Sequence, residues 1–581
     1  MLTGVQPSSL IIVNSAKIKY QHLGKTAFNF KILEKRSGEV YEVSLDSNGH
    51  QLSLAKLQAE EQAIAGKLEP ALAKKLNNTP PQQPIKVILW LKEPIVTETL
   101  SAQVDAQRAS AIQLIVNSVA TKLKNLGFNI HTEKSAPVIY ASLTPNAIAQ
   151  VVKWDEVDKI YTVHQVQPAL DMVRRVVHSN TVSDRGITGK GVRVAQLEFG
   201  GRVATNNPYL KGIVQDSYYI SPWTIYHATN VAGIMRSTHP QFRGIAPGIL
   251  LWVGGSQLGQ IDQLQERSTA AAAWGAQIFN LSFGGDSGGK VDGFARFYDD
   301  MTINRRRTIV VAAGNYGASD CNQGTTGNVA TPALAYNVIS VGSFDDKNTP
   351  SWDDDKIYSC SSWRNPISTH NDRQKPEVVA PGIGIMSTTT SAPWIGATGA
   401  GTSFSAPIVT GIAALMMQRD RTLASFPEAV KAILMATAVN NIEGSAQLSE
   451  YDGAGGVVAD KADDLVRKIK GNWGGQSYSC KTANQLNVAT MSLTANQRTR
   501  AAIAWNNNPA YANYDSQPSA DLNLQIVNSA NKVVAGSYSW DNTYEIVDFT
   551  PTTTGNYKLR INKTRCDLTP RWLGWAWQKV R

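Results

Sequence analysis

Apolar and polar positions alternate with two different periods along this chain, and the changes of period divide it. From Ile11 to about Val43 the pattern predicts short strands; Leu54 to Leu76, rich in Ala, Leu, Glu and Lys, reads as a helix. The prolines of NNTPPQQP, Asn77 to Pro84, mark a linker. From Ile85 the reading is strand (IKVILWLK), long helix (about Ser101 to Leu126), strand (FNIHTEK), strand (VIYASLT), helix (Asn146 to Val152) and strand (DKIYTV). That βαββαβ order predicts a small ferredoxin-like α+β sandwich.

From about Asn180 to Asp464, β-rich runs (VRVAQLEF, AQIFNLSF, TIVVAAG, VISVGSF) alternate with helical stretches, which predicts an α/β fold with a parallel sheet flanked by helices. After Gly471 the helical period stops. The alternation in RTRAAIAWN, DLNLQIVN, KVVAGSYS, YEIVDFTP and NYKLRINK predicts an antiparallel β-sandwich, with Asp521 and Asp541 as plain turn residues. The expected division is therefore 1–84 (extension and linker), 85–165, 175–465 and 472–581.

Composition agrees with several packed units. The 581 residues exceed what one core serves, and 42% hydrophobic content with 14 Trp excludes long disorder. The net charge of +10 is spread along the chain; its densest cluster, Arg305 to Arg307, reads as a solvated face, so no nucleic-acid partner is expected. No stretch reaches the roughly 18 apolar residues of a membrane span, so no membrane partner is expected. The opening MLTGVQPSSLIIVNSA shows no basic region followed by an apolar core, and no signal peptide is visible. Cys321 and Cys360 share one region, Cys480 and Cys566 another; two intradomain disulfides and free buried thiols both fit. No CxxC spacing suggests zinc.

Three segments carry chemistry. GTSFSAP, Gly401 to Pro407, places Ser403 at the mouth of an apolar helix, where free backbone N–H groups favour developing negative charge, and Pro407 fits its first turn. A serine hydroxyl needs a base to take its proton. Of eight histidines, His227 in HATNVAG alone sits at the start of another small-residue helix. Val310 to Asn315, VVAAGN, is a buried strand ending at an amide able to donate to an oxyanion beside the Ser403 N–H.

GTSFSAP, HATNVAG and AAGN, in this order and spacing, resemble the subtilisin-like (S8) serine protease family over about Gly186 to Met435, with GITGKGVRVAQLE, FRGIAPG, FNLSFGG and KPEVVAPG as further matches. The resemblance implies a serine endopeptidase acting on polypeptides, with Ser403 as nucleophile, His227 as general base and Asn315 in the oxyanion hole. In subtilisin itself, losing such a donor lowers turnover about a hundred- to thousand-fold. It also implies that Asn280 to Gly284, including Ser282, Phe283 and Gly284, offers an edge strand to substrate, and that Ala312, Ala313 and Gly314 wall the pocket for the side chain before the scissile bond. Residues 85–165 resemble the inhibitory propeptides of such proteases, and 472–581 the accessory, P-domain-like sandwiches of secreted bacterial ones. The expectation is thus a precursor, located outside the cytoplasm, held shut by its own propeptide and cut between Gln165 and His178, where Arg174-Arg175 is a dibasic site. No cofactor is required; structural calcium is common in the family, although no loop here has a run of oxygen ligands.

The chain departs from the family pattern at three places. Glu198 stands where an Asp orients the histidine; it carries the same charge on one more methylene, and a misplacement of about an ångström can cost about a hundred-fold in rate. Ala228 replaces a usual Gly, and Asn230 a common second His. The alternatives to a Ser-His-Glu endopeptidase are a pseudoprotease that captures peptides without cutting them, resting on Glu198 alone, and a ligase that transfers the acyl group to an amine.

Overall fold

The structure, a computed structural model, describes residues 9–580 other than 21–22, 24, 35–39, 55, 58–59, 61–65, 70–71, 74, 77–78, 93–101, 133–135, 163–168, 219–223, 319–320, 322, 440–441, 443–447 and 469–470. The chain forms two compact units, Met1–Val166 and Gln167–Arg581.

The first unit opens with an antiparallel meander of β1 (Leu10–Tyr20), β2 (Lys25–Glu34) and β3 (Val40–Leu45). The helix expected over Leu54 to Leu76 does not run through. Among its described residues, helical turns are interrupted at Lys67 to Glu69, where Leu68 bridges to Ile160, and Gly66 stands just before the break. Then follow β4 (Ile85–Leu91), α1 (Ala102–Asn125), β5 (Ile130–Thr132), β6 (Val138–Leu143), α2 (Pro145–Val151) and β7 (Val157–Thr162). They pair antiparallel in the order β5-β6-β4-β7. Val87, Leu89, Ile139 and Ile160 bury one face of this sheet against Val116, Val119 and Leu123 of α1 and Ile148 of α2. Thr144 caps α2 by accepting from Ala147 N, and Pro145 fills the first helical position, where no N–H is needed.

The second unit is built on β8 (Arg193–Phe199), β9 (Val214–Gln215), β10 (Leu250–Ser256), β11 (Ile278–Leu281), β12 (Thr308–Ala312), β13 (Ile339–Asp345), β14 (Lys356–Ile357) and β15 (Val378–Pro381). The order is β14-β13-β12-β11-β8-β10-β9, with β15 also on β13, and every pair except β13·β14 is parallel. A parallel sheet is covered on both faces, which is why β11 and β12 are apolar and buried almost throughout. The pleat sorts them: Val194 and Val310 face one cluster with α5 (Tyr226–Arg236), α8 (Thr402–Arg419) and α9 (Pro427–Thr437), while Ala195, Leu197 and Val311 face another with α6 (Ile261–Trp274) and α7 (Gly293–Asn304).

Two preceding helices, α3 (Ala169–Val176) and α4 (Ser179–Asp184), overturn the expected cleavage linker: Arg174 and Arg175 lie on α3, where Met172, Val173 and Val176 are buried and Arg174 is itself only 8% exposed. Gln165 to Pro168 lie outside the described residues.

After α10 (Ala459–Lys468) come β18 (Trp473–Tyr478), β19 (Gln485–Leu493), β20 (Thr499–Trp505), β21 (Asp521–Val527), β22 (Val533–Ser537), β23 (Tyr544–Phe549), β24 (Gly555–Arg565) and β25 (Arg571–Lys579). They make two four-stranded antiparallel sheets, β18-β25-β20-β23 and β19-β24-β21-β22, around one apolar cluster that includes Trp505, Leu524, Leu559 and Leu573. This part is fused to the α/β part: Ala502, Ala504 and Ala576 belong to the apolar cluster of α8 and α9, and Tyr514 to the cluster of α6 and α7. Polar ties cross the same junction. Arg500 donates to the carbonyls of Ala438 (2.7 Å) and Ala454 (3.0 Å), Asn337 and Asn507 exchange backbone-to-amide bonds (2.6 and 3.0 Å), and Tyr514 donates to the buried Asp299 (2.7 Å). Neither Asp521 nor Asp541 is a plain turn residue. Asp521 opens β21 and is buried, and Asp541 accepts from the His370 backbone N–H and pairs with its ring. Both cysteine pairs, Cys321–Cys360 and Cys480–Cys566, are disulfides.

Candidate active site

Glu198 is the penultimate residue of β8, so its side chain leaves the sheet at the carboxyl end of a parallel strand, where such sheets place their sites. It is 1% exposed. Its backbone sits hard against β10: a Cβ on Gly255, its register partner, would lie 2.0 Å from the Glu198 carbonyl oxygen, so only glycine fits there. One carboxylate oxygen, Oε2, lies 3.1 Å from Nδ1 of His227, the second residue of α5. A carboxylate accepts, so this contact puts the proton on Nδ1 and turns Nε2 outward as the basic nitrogen. The rings of Phe199 and Phe404 flank the imidazole at 5.8 and 5.7 Å between centroids. Burial opposes charge on His227, but attraction to Glu198 and the hydrogen bond to it prevail, and its pKa is raised above the ordinary 6.5.

Ser403 is the second residue of α8 and is partly exposed. Its Oγ donates to the Ser282 carbonyl (3.0 Å), and Ser282 Oγ donates back to the Ser403 carbonyl (2.8 Å). Behind this pair a buried relay fixes Ser282: Thr410 donates to Asn280 Oδ1 (3.0 Å), and Asn280 Nδ2 to Ser282 Oγ (2.9 Å). Asn315 follows β12. Its Oδ1 accepts from the Thr402 backbone N–H (3.0 Å) and hydroxyl (3.2 Å), so the amide is held by its oxygen and its NH2 is left to donate.

His227, Ser282, Asn315 and Ser403 line one cleft of about 590 Å³. Ile261, Leu264, Phe283, Phe294 and Ala312 make its apolar wall, and Gly284, Gly285, Gly314 and Thr331 border it. Among the described lining residues His227 is the one titratable group. Two sequence-based expectations fail here. Ala313 does not reach the cleft: it is fully buried and bonds β13 and the Ala330 turn, because the pleat sends Ala312 and Gly314 to one side and Ala313 to the other. Nor is Asn280 to Gly284 an edge as a whole, since Asn280 and Leu281 are hydrogen-bonded between β8 and β12; only Ser282 to Gly284, beyond the strand, border the cleft.

The replacements at the histidine helix have local uses. Asn230 is buried and donates to the Thr388 carbonyl (2.7 Å), which ties α5 to the hairpin of β16 (Met386–Thr388) and β17 (Ile395–Ala397). Ala228 is buried, and its carbonyl accepts from Gln196 Nε2 (2.8 Å). Gln196 is the site residue that sequence reading passed over: it also donates to Glu198 Oε1 at 2.8 Å. The available signal was two polar residues spaced by two in an otherwise apolar strand, VAQLEF. Among the described residues no group of three or more His, Cys, Asp or Glu side chains is arranged to hold a metal, and no helix is long and apolar enough to cross a membrane.

Residues 203–455 match the Peptidase_S8 model, the subtilase family. The matched segment holds His227, Asn315 and Ser403 and begins after Glu198. Curated relatives include serine protease AprX of Bacillus subtilis (strain 168), 29% identical over 51% of this chain and 72% of the relative. Another is alkaline elastase YaB of Bacillus sp. (strain YaB), 26% identical over 58% of this chain and 82% of the relative. Among solved structures, prenylagaramide maturation protease PagA is 23% identical with a TM-score of 0.40, covering 50% of this chain and 99% of that one. With a parallel sheet presenting serine, histidine and asparagine in one cleft, and with this family match, residues 203–455 form a subtilase-family domain and the chain is a subtilisin-like serine-type endopeptidase.

Proposed function

We propose that this endopeptidase works through a Ser403-His227-Glu198 triad and matures by cutting itself from a precursor. The observation that carries the reading is the 3.1 Å contact of Glu198 with His227 Nδ1, which directs the other ring nitrogen into the cleft that Ser403 lines. In the proposed reaction Ser403 Oγ turns from the Ser282 carbonyl, gives its proton to His227 Nε2 and bonds to the substrate carbonyl carbon. The oxyanion takes hydrogen bonds from Asn315 Nδ2 and the Ser403 N–H, and Glu198 stabilises the imidazolium. The imidazolium then protonates the leaving amine; water, deprotonated by the same nitrogen, bonds to the acyl carbon, and as the bond to Ser403 Oγ breaks the imidazolium returns the proton to that oxygen. The chemistry uses no cofactor.

Extended polypeptide is the proposed substrate, laid along Ser282 to Gly284 with an apolar side chain entering between Phe283, Phe294 and Ala312. Residues 85–165 are assigned as the inhibitory propeptide, a reading supported by their β5-β6-β4-β7 order and by Trp90 and Tyr140, exposed aromatics on the sheet face opposite the helices. Since Arg174 is buried on α3, the cut is assigned before Ala169. Two disulfides favour an oxidising compartment, hence a location outside the cytoplasm.

The test is to hold the full chain and its Ser403→Ala form side by side, follow intact mass, and label both with a fluorophosphonate. Labelling of the wild type with loss of a fragment ending before Ala169, and neither event in Ser403→Ala, supports the proposal. A wild type that binds peptide tightly yet neither labels nor processes overturns it in favour of a peptide-capturing cleft.

A further inference from the structure

The carboxylate of Glu198 has two oxygens, and the triad accounts for one. Oε1 is held 2.8 Å from Nε2 of Gln196, two residues earlier on the same strand and therefore on the same face of the sheet. The same Nε2 lies 2.8 Å from the carbonyl of Ala228, the residue after His227. Both neighbours are acceptors, so only the NH2 end of the amide can face them and its orientation is not ambiguous. One side chain thus ties the strand that carries the carboxylate to the helix turn that carries the imidazole.

The surroundings make this amide hard to explain as packing. Gln196 is fully buried, its face of β8 continues into an apolar cluster at Val194, and its own Oε1 has no hydrogen-bond partner among the described residues. A buried amide left half unsatisfied disfavours folding, and an aliphatic side chain would remove that penalty. What an aliphatic residue cannot do is donate to Glu198.

We infer that Gln196 is a positioning residue for the proteolytic reaction: it fixes the rotamer of the longer Glu198 carboxylate so that Oε2 meets His227 Nδ1, and it binds the helix turn beside His227 at the same time. This rests on the Ser403-His227-Glu198 reading. It goes beyond that reading in making Gln196 and Glu198 a coupled pair, in which the amide clamps the swing that the extra methylene allows.

The experiment is a double-mutant cycle on the full chain, read as the second-order rate of fluorophosphonate labelling and as kcat and KM on an apolar peptide substrate. The variants are Gln196→Leu, Glu198→Ala and both together, with Gln196→Met as a close volume match should Leu impair folding. Labelling of the wild type, its absence in Ser403→Ala and its fall in Glu198→Ala test the triad reading independently of the outcome at 196. The expected result is a fall in kcat of about thirty- to three-hundred-fold for Gln196→Leu and Gln196→Met, the scale set by misplacing a reacting group by about an ångström. KM should stay within about two-fold, and either change at 196 should cost nothing further once Glu198 is alanine. A merely structural role would lower labelling by the same factor with and without Glu198, or reduce the active fraction without changing kcat per labelled site. Either outcome, or an unchanged kcat, overturns the inference.

Discussion

Replacing Glu198 by Asp, the residue the family uses, is expected to slow this enzyme rather than improve it. The substitution removes one methylene and so withdraws the carboxylate by about 1.5 Å, one carbon–carbon bond. Starting from 3.1 Å to His227 and 2.8 Å to Gln196, a retreat of that size leaves both donors at roughly 4 Å or more, outside hydrogen-bond range. The backbone cannot follow: β8 is hydrogen-bonded on both sides, and its carbonyl at Glu198 already occupies the space a Cβ of Gly255 would need. A hydrogen bond to a charged group contributes about 1.5–3 kcal/mol, which is roughly ten- to hundred-fold in rate if only the His227 contact is lost. The assay is kcat/KM on an apolar chromogenic peptide, with fluorophosphonate labelling to count competent sites. A rate for Glu198→Asp equal to or above wild type would refute the argument, because it would mean that the site is built for the shorter acid and that Glu198 impairs it.

Because His227 has a raised pKa and acts as a base only when neutral, the rising limb of kcat/KM against pH should have its midpoint above 6.5; Glu198→Gln should move that midpoint to lower pH while cutting the rate by up to about 10⁴-fold. Asn315→Ala should lower kcat by about a hundred- to thousand-fold with little change in KM, the scale known for a subtilisin oxyanion donor. Asp355 is 7% exposed, both its carboxylate oxygens lack hydrogen-bond partners among the described residues, and burial raises its pKa to about 7 from 3.8. The folded chain therefore holds a proton that the unfolded chain has lost between those values, and the stability this gives disappears as pH rises through about 7. Asp355→Asn should melt a few degrees higher than wild type at pH 8, with the gap closing at pH 5. Arg500 is 2% exposed and pairs with Asp548 at 2.7 Å while holding two carbonyls of the α/β part. Arg500→Met should destabilise the chain by about 3–5 kcal/mol, read by denaturant melting, with activity lost in the same transition.

Sequence offered Ser403 and His227 as residues opening small-residue helices and Asn315 as an amide just past an apolar strand, and the structure sets all three along one cleft. The alternating runs predicted the parallel sheet from equally local signals. Other features depended on a period that was present but not applied. ALDMVRRVV carries apolar residues at helical spacing, with Met172, Val173 and Val176 on the inner side, which contradicts an open dibasic linker. Pleat alternation likewise separates Ala313 from Ala312 and Gly314. Gln196 was harder, since an amide within an apolar strand acquires meaning only once Glu198 and the Ala228 carbonyl are placed around it. The junction of Asn337 with Asn507, about 170 residues along the chain, leaves no local trace at all.

That junction bears on when activity can arise during synthesis. A polypeptide is made from its amino terminus, and Tyr514, Ala504 and Ala576, which complete the two apolar clusters flanking the active-site sheet, are made only after the whole of that sheet and Ser403. Until they arrive, α9 and Asp299 lack their covering, so a nascent or prematurely terminated chain holds Ser403 and His227 in an unfinished core. Proteolytic competence is thereby deferred until these later strands have been made, a safeguard that operates before any propeptide is removed.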